Sequence, residues 1–227
     1  MKTLATLLLI ICTLPITAQD YPTKSDPNLV VVQQDSDVPS GILQEESSKT
    51  SNIPGNRYLE ELATEGFIVF HNSKKKYLFR QIRYNIYSSD LEVVVFGKTK
   101  YIRLPSVHYF ILNQNGKLRR FFRWWWPEKK VLLPVYGYYE TLIFGKASVL
   151  RYTYVGVNSK TVLGNTRENF FFKDNKMYKV KKSRLIKKLL TTKGFNAKKV
   201  IKQQKLKIKD IYDLVTLVEL FNAHHKK

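Results

Sequence analysis

Cysteine is almost missing from this chain: Cys12 is the only one in 227 residues. A single thiol excludes an internal disulfide framework and any zinc site built from several cysteines. Glycine (10) and proline (8) are sparse, which excludes collagen-like and proline-rich filaments. The four histidines, His71, His108, His224 and His225, show no spacing with carboxylates that would gather three or four zinc ligands. No Gly-rich phosphate loop, nucleophile elbow or His-Glu-x-x-His motif occurs. No apolar run reaches the roughly 20 residues of a membrane-spanning helix. Acid is scarce as well, with 18 Asp and Glu against 39 Lys and Arg, for a net charge of +21. What the chain does have is apolar content of 44%, enough for a folded core, and a large excess of positive charge.

Residues 1–18 read as a secretory signal peptide. Lys2 supplies the positive start, an apolar run extends from Leu4 to Leu14, and Pro15 precedes a small-residue cleavage site at Ala18. Cys12 lies inside this run, and Ile11 before it is too large for a lipidation box. Cleavage therefore leaves a mature chain without a thiol. Residues 19–65 then hold nine acidic and three basic side chains, a charge of −6. Rich in Ser, Thr, Asn, Gln and Pro, residues 19–63 are expected to form an acidic, largely disordered tail, because they have little apolar area to offset chain entropy. Their one apolar patch, Leu29-Val30-Val31-Val32, has addition to a sheet edge as its alternative. Residues 66–227 carry 35 basic and nine acidic side chains, net +26. The overall charge is thus an average over an acidic arm and a strongly cationic body.

Within the body, strand signals dominate up to residue 181. Ile82, Tyr84 and Ile86 alternate with Gln81, Arg83 and Asn85, the period of a sheet with one wet face. Turns at Gly97-Lys98, Asn115-Gly116, Gly145-Lys146 and Asp174-Asn175 separate apolar runs. The period then changes. Leu185, Ile186, Leu189 and Leu190 come after Ser183; Asn196 and Asp210 are N-caps for two further helices, the last with Ile211, Leu214, Val215, Val218 and Phe221 as its stripe. The expected class is α+β. Residues 64–181 form an antiparallel β meander, curled or sandwich-like, and residues 182–227 form a cluster of short helices packed on the sheet.

The segment Tyr138-Tyr139-Glu140-Thr141-Leu142-Ile143-Phe144-Gly145-Lys146-Ala147-Ser148-Val149-Leu150 resembles a strand–turn–strand motif of secreted β-rich proteins of the Bacteroidota. The ending is similar as well: Lys182-Ser183 opens one helix, and Asp210-Ile211-Tyr212-Asp213-Leu214-Val215 opens the last before Asn222. The resemblance implies export and this architecture. It carries no functional residue, since those proteins have no established function.

Candidate contacts come from charge and aromatic content. Arg119 and Arg120 precede Phe121-Phe122-Arg123-Trp124-Trp125-Trp126, a stretch holding all three tryptophans. Trp favours the membrane interface, and Lys and Arg meet anionic head groups. With Lys181, Lys182, Lys187 and Lys188, these residues are the expected contacts to an anionic lipid surface or polysaccharide of the envelope. The bland alternative is a one-sided strand and solvated helix faces. Export sets nucleic acid aside as a partner, although basic and aromatic composition fits it. No cofactor or metal is expected. A transmembrane β-barrel would need a continuously apolar outer face, which Arg and Lys interrupt. The competing function is an envelope hydrolase using Glu92 or Glu140 as acid or base, against the reading that each neutralises a nearby cation. The histidine pair His224-His225 reads as a solvated end.

Overall fold

The computed structural model describes residues 22, 25–46, 55–71, 73–122, 137–158, 162–174, 176–181 and 183–226. The arm supplies Leu29–Val31 (β1) and Leu43–Gln44 (β2), around a 3-10 turn at Asp35–Asp37. The body begins with Thr64–Phe70 (β3), Lys76–Asn85 (β4), Asp90–Val95 (β5) and Lys98–Arg103 (β6). After a 3-10 turn at Leu104–Ser106 come Val107–Gln114 (β7), Lys117–Phe122 (β8), Tyr139–Ile143 (β9), Ala147–Asn158 (β10), Val162–Lys173 (β11) and Lys176–Lys179 (β12). Three helices close the described chain: Ser183–Leu190 (α1), Ala197–Gln203 (α2) and Ile211–His224 (α3). The class is α+β, a mostly antiparallel curled sheet with short helices at its C-terminal side. Among the described residues no helix is long and apolar enough to cross a membrane.

One short connection forces the curl. The strand order is β12-β11-β10-β9-β8-β7-β3-β4-β5-β6-β2, so β7 pairs with β3 and not with β6 before it. In a flat sheet β6 and β7 would lie four strand spacings apart, roughly 19 Å. The four Cα steps from Arg103 to Val107 reach only about 14 Å. The sheet therefore bends until β6 approaches β7, and it does so without closing. Inside the curl Phe110 stacks on Phe121, ring centroids 4.7 Å apart, with Tyr84 and Tyr138 edge-on or tilted against Phe110. All four rings are buried.

The second half is built differently. Ala147 and Val149 of β10 and Phe171 of β11 form a core with the helices. In α3, Leu214, Leu217, Val218 and Phe221 are fully buried, at the i, i+3, i+4, i+7 spacing of one helix face. Leu217 takes the place expected of Val215, which is only half-buried. Asn196 and Asp210 cap α2 and α3 as their side-chain chemistry predicts. At the other end of α3, the buried Asn222 side chain bonds the backbone of Ala147 twice: Nδ2 donates to its carbonyl and Oδ1 accepts from its amide, both at 2.9 Å. Gly145 makes room for this latch, since a Cβ there would lie 2.5 Å from Asn222 Nδ2.

The arm departs from its expected disorder over its described part. β1 pairs in parallel with β4, and β2 pairs antiparallel with β6. Val32, Val38 and Leu59 are buried in the core of the curl. The sheet-edge alternative for residues 29–32 is the one observed. Three buried apolar side chains, each contributing about 1.5–3 kcal/mol, are what acidic composition concealed. The expected signal peptide, residues 1–18, lies outside the described residues.

Candidate functional site: a cationic end of the sheet

Arg119 does not face an external anion. Its side chain is buried on β8 and grips Glu140 of β9 with two hydrogen bonds, Nε to Oε1 at 2.8 Å and NH2 to Oε2 at 3.0 Å. Its NH1 also bonds Glu60 of the arm, and Gln114 at 3.0 Å. Burial acts to lower its pKa, but the hydrogen bonds and charge of Glu140, with the charge of Glu60, outweigh that and move it upward. A cation so engaged is a structural tie and leaves the set of expected surface contacts. Arg120, on the next position of β8, is half-buried with its guanidinium 5.5 Å from the Phe122 ring. Arg123, Trp124, Trp125, Trp126 and Lys182 lie outside the described residues. Lys181 is exposed in the turn before α1, Lys188 is exposed on α1, and Lys187 is half-buried.

The carboxylates offered for hydrolysis are both engaged. Glu140 belongs to Arg119. Glu92 accepts from Arg83 NH2 at 2.7 Å and from the Tyr58 hydroxyl at 2.9 Å. Burial, and then the Glu92 hydrogen bond, push the Tyr58 hydroxyl above its ordinary pKa. Each carboxylate thus neutralises a neighbouring arginine, as the simpler reading of the sequence has it. His71 and His108 do come together, with ring centroids 5.3 Å apart. Among the described residues no group of three His, Cys, Asp or Glu is placed to hold a metal. His225 is not a solvated end: its ring packs 4.3 Å from that of Phe221, and Nε2 lies 3.1 Å from the Thr192 hydroxyl.

Exposed positive charge gathers elsewhere. Strands β7 to β12 succeed one another in alternating direction, so the β7–β8, β9–β10 and β11–β12 turns fall at one end of the sheet. Each of these turns carries an exposed lysine where the chain leaves it: Lys117, Lys146 and Lys176. Beside them stand two exposed aromatics, Phe144 at 66% and Tyr212 at 64% exposure, an uncommon position for large rings. Residues 173–209 add 15 basic side chains against one acid, Asp174. Among the described residues no ion pair involves a helix lysine. This row of three was legible in principle, because every second turn of a meander shares an end. Clustering of charge along the chain does not reveal it, since the three are far apart in sequence.

Between this end and α3 lies a cavity of about 270 Å³. Its walls come from β7, β8, β9, β10, the β9–β10 turn and the first turns of α3. No protein-family model, curated protein or solved structure matches the chain. The chemistry of the site therefore rests on these side chains alone.

Proposed function

We propose that this protein is exported to the cell envelope and there binds anionic membrane surface through its cationic second half, without catalysis. The observation that carries the reading is the exposed row Lys117, Lys146 and Lys176 beside Phe144 and Tyr212. Lysines near an anionic leaflet contribute about 1 kcal/mol each. Aromatic rings at their side fit the interfacial layer, where an apolar body and a polar tip are both accommodated. The signal-like first 18 residues and the resemblance to secreted Bacteroidota proteins support the location. Glu92 and Glu140 give no support to a hydrolase, because both are held by arginines.

Co-sedimentation with vesicles tests the reading. Binding is expected to vesicles containing phosphatidylglycerol and not to phosphatidylcholine alone, and to fall as salt rises from about 0.1 M to about 1 M, where charges are screened within a few ångströms. Equal binding to both vesicles, or none to either, overturns it. Binding to an anionic polysaccharide in place of the vesicles assigns the same charge to the other partner.

A further inference from the structure

The end of α3 closes on a histidine with nowhere to put a second proton. His225 caps the helix, its amide donating to the carbonyls of Phe221 and Asn222. Its ring is half-buried, 4.3 Å from the ring of the fully buried Phe221, and its Nε2 is 3.1 Å from the hydroxyl of Thr192 in the α1–α2 connection. Nδ1 is shut off from water and has no hydrogen-bond partner among the described residues. In a neutral imidazole one nitrogen donates and the other accepts, and the Thr192 hydroxyl can answer either at Nε2. A protonated ring carries N–H on both nitrogens, and the proton on Nδ1 would then be buried without an acceptor.

The surroundings add charge of the wrong sign. Lys173 Nζ lies 5.9 Å from the same Phe221 ring, and Lys146 adjoins Ala147, which Asn222 holds three residues before His225. The His224 ring is 5.0 Å away, and the exposed Lys193 and Lys226 belong to the connection and to the helix end. The acid beside Lys173, Asp174, is paired with it. A helix C-terminus ordinarily favours a protonated histidine. Here burial first, and then the charges of Lys146, His224 and Lys173, hold the His225 pKa below its ordinary 6.5.

We infer that the last turn of α3 is an acid-sensitive clasp: neutral His225 closes it over Phe221 beside the Asn222–Ala147 latch, and protonation expels the ring and frees that turn. The clasp is whole above pH 6.5 and loosens as pH falls through the lowered value. Lys146 also belongs to the exposed row at the end of the sheet. An anion bound there should ease proton uptake by His225, and by reciprocity mild acid should tighten binding of anionic vesicles. Only this consequence rests on the membrane reading.

NMR titration of the histidine rings and hydrogen exchange of the full chain test the clasp without any ligand. His225 is expected to titrate below about 6.5. Between about pH 7.5 and about pH 5, protection of the Ala147 amide and of the last turn of α3, taken relative to intrinsic exchange at each pH, should fall at least about threefold. His225→Phe keeps an aromatic ring against Phe221 and takes no proton, so its protection should stay flat, whereas His224→Gln should keep the fall. The clasp is overturned if His225 titrates at or above about 6.5, if protection does not fall, or if His225→Phe shows the same fall as the parent chain. With phosphatidylglycerol vesicles, the same drop in pH should raise the affinity of the parent chain at least about threefold and that of His225→Phe by less. Equal gains in both overturn the coupling to Lys146. A fall in protection with no vesicle binding at either pH overturns the membrane reading and leaves the clasp. Vesicle binding with no fall in protection overturns the clasp and leaves the membrane reading.

Discussion

Lys76 and Lys100, on the first half of the sheet, and Arg119, on β8 at the seam with the second, each meet a carboxylate of the acidic arm: Asp26 at 2.9 Å for Lys76, Asp35 at 3.1 Å together with Glu45 for Lys100, and Glu60 for Arg119. Lys117, Lys146 and Lys176, at the turns of β7 to β12, stay exposed, and beyond the Arg119 tie Lys173 pairs with its neighbour Asp174 and Lys179 with Glu168. The first half is strapped by the arm, although Lys74, Lys75, Arg80, Lys98 and Arg103 stay exposed there, and the second half beyond the seam has no such strap. Charge alone does not hold the strap, because Asp35 and Glu45 lie open to water, and pairs with such a partner contribute at most about 1 kcal/mol each. Burial of Val32, Val38 and Leu59 holds it, and charge selects where it lies. The contrast teaches that positive charge here is not a uniform property of the surface. It is cancelled where the arm lies on the sheet and left exposed at the turns beside the helices.

Breaking the seam between the halves has the largest expected effect. Glu140→Gln leaves Arg119 buried against a neutral partner on the β8–β9 boundary, and loss of one member of a buried pair costs about 3–5 kcal/mol. Urea denaturation should show it near the lower figure, since Glu60 remains. A loss below about 1 kcal/mol would mean that water reaches Arg119 freely. Next comes the bare end itself. Replacing Lys117, Lys146 and Lys176 together by Glu should remove about 3 kcal/mol of vesicle affinity, roughly a hundredfold. Lys76→Gln on the strapped half should leave affinity unchanged, and equal losses from both would erase the distinction.

Asn222→Ala strands the Ala147 amide and carbonyl and should cost about 2 kcal/mol. Hydrogen exchange should rise in α3 and β10 while the curl keeps its protection. Phe96 is 85% exposed at φ 50°, a left-handed backbone that a bulky side chain adopts at a cost. Phe96→Asn should therefore raise stability by about 1 kcal/mol, read from the thermal midpoint. The smallest effect is on the strap and depends on pH. A hydrogen bond from Lys76 holds the Asp26 carboxyl below its ordinary 3.8, and the Gln33 and Gln34 amides do the same for Asp37. Such groups stabilise the docked arm fully above pH 3.8 and lose that contribution as pH falls through their lowered values. Protection of the β1 amides, taken relative to intrinsic exchange at each pH, should fall in that acid window and be flat above it.

Much of the fold was legible because its signals are local. Asn115-Gly116 turns with φ of 50° and 79°, as its chemistry predicts, and Asn196 and Asp210 cap the helices they precede. What stayed hidden is non-local. Nothing near β6 announces that β7 will pair with β3 instead. Arg119 and Glu140 are 21 residues apart, and only the β8–β9 register brings them together. The docking of the arm is hidden because its acids are plain in composition, while its few apolar side chains count only once the core that receives them exists. The candidate site is obscured in the same way: the runs Arg119–Trp126 and 181–188 are conspicuous along the chain, and the three turn lysines are not.

Asn222 and Asp210 together make α3 a ruler. Asp210 sets its first turn and Asn222 must arrive opposite Ala147. Each residue inserted into an α-helix rotates every later side chain by about 100°. One insertion or deletion between cap and latch swings the carboxamide away from Ala147 and turns the Leu214, Leu217, Val218 and Phe221 face out of register with the sheet. Length variation is therefore expected at the hairpin tips, and the stretch from cap to latch should keep its count.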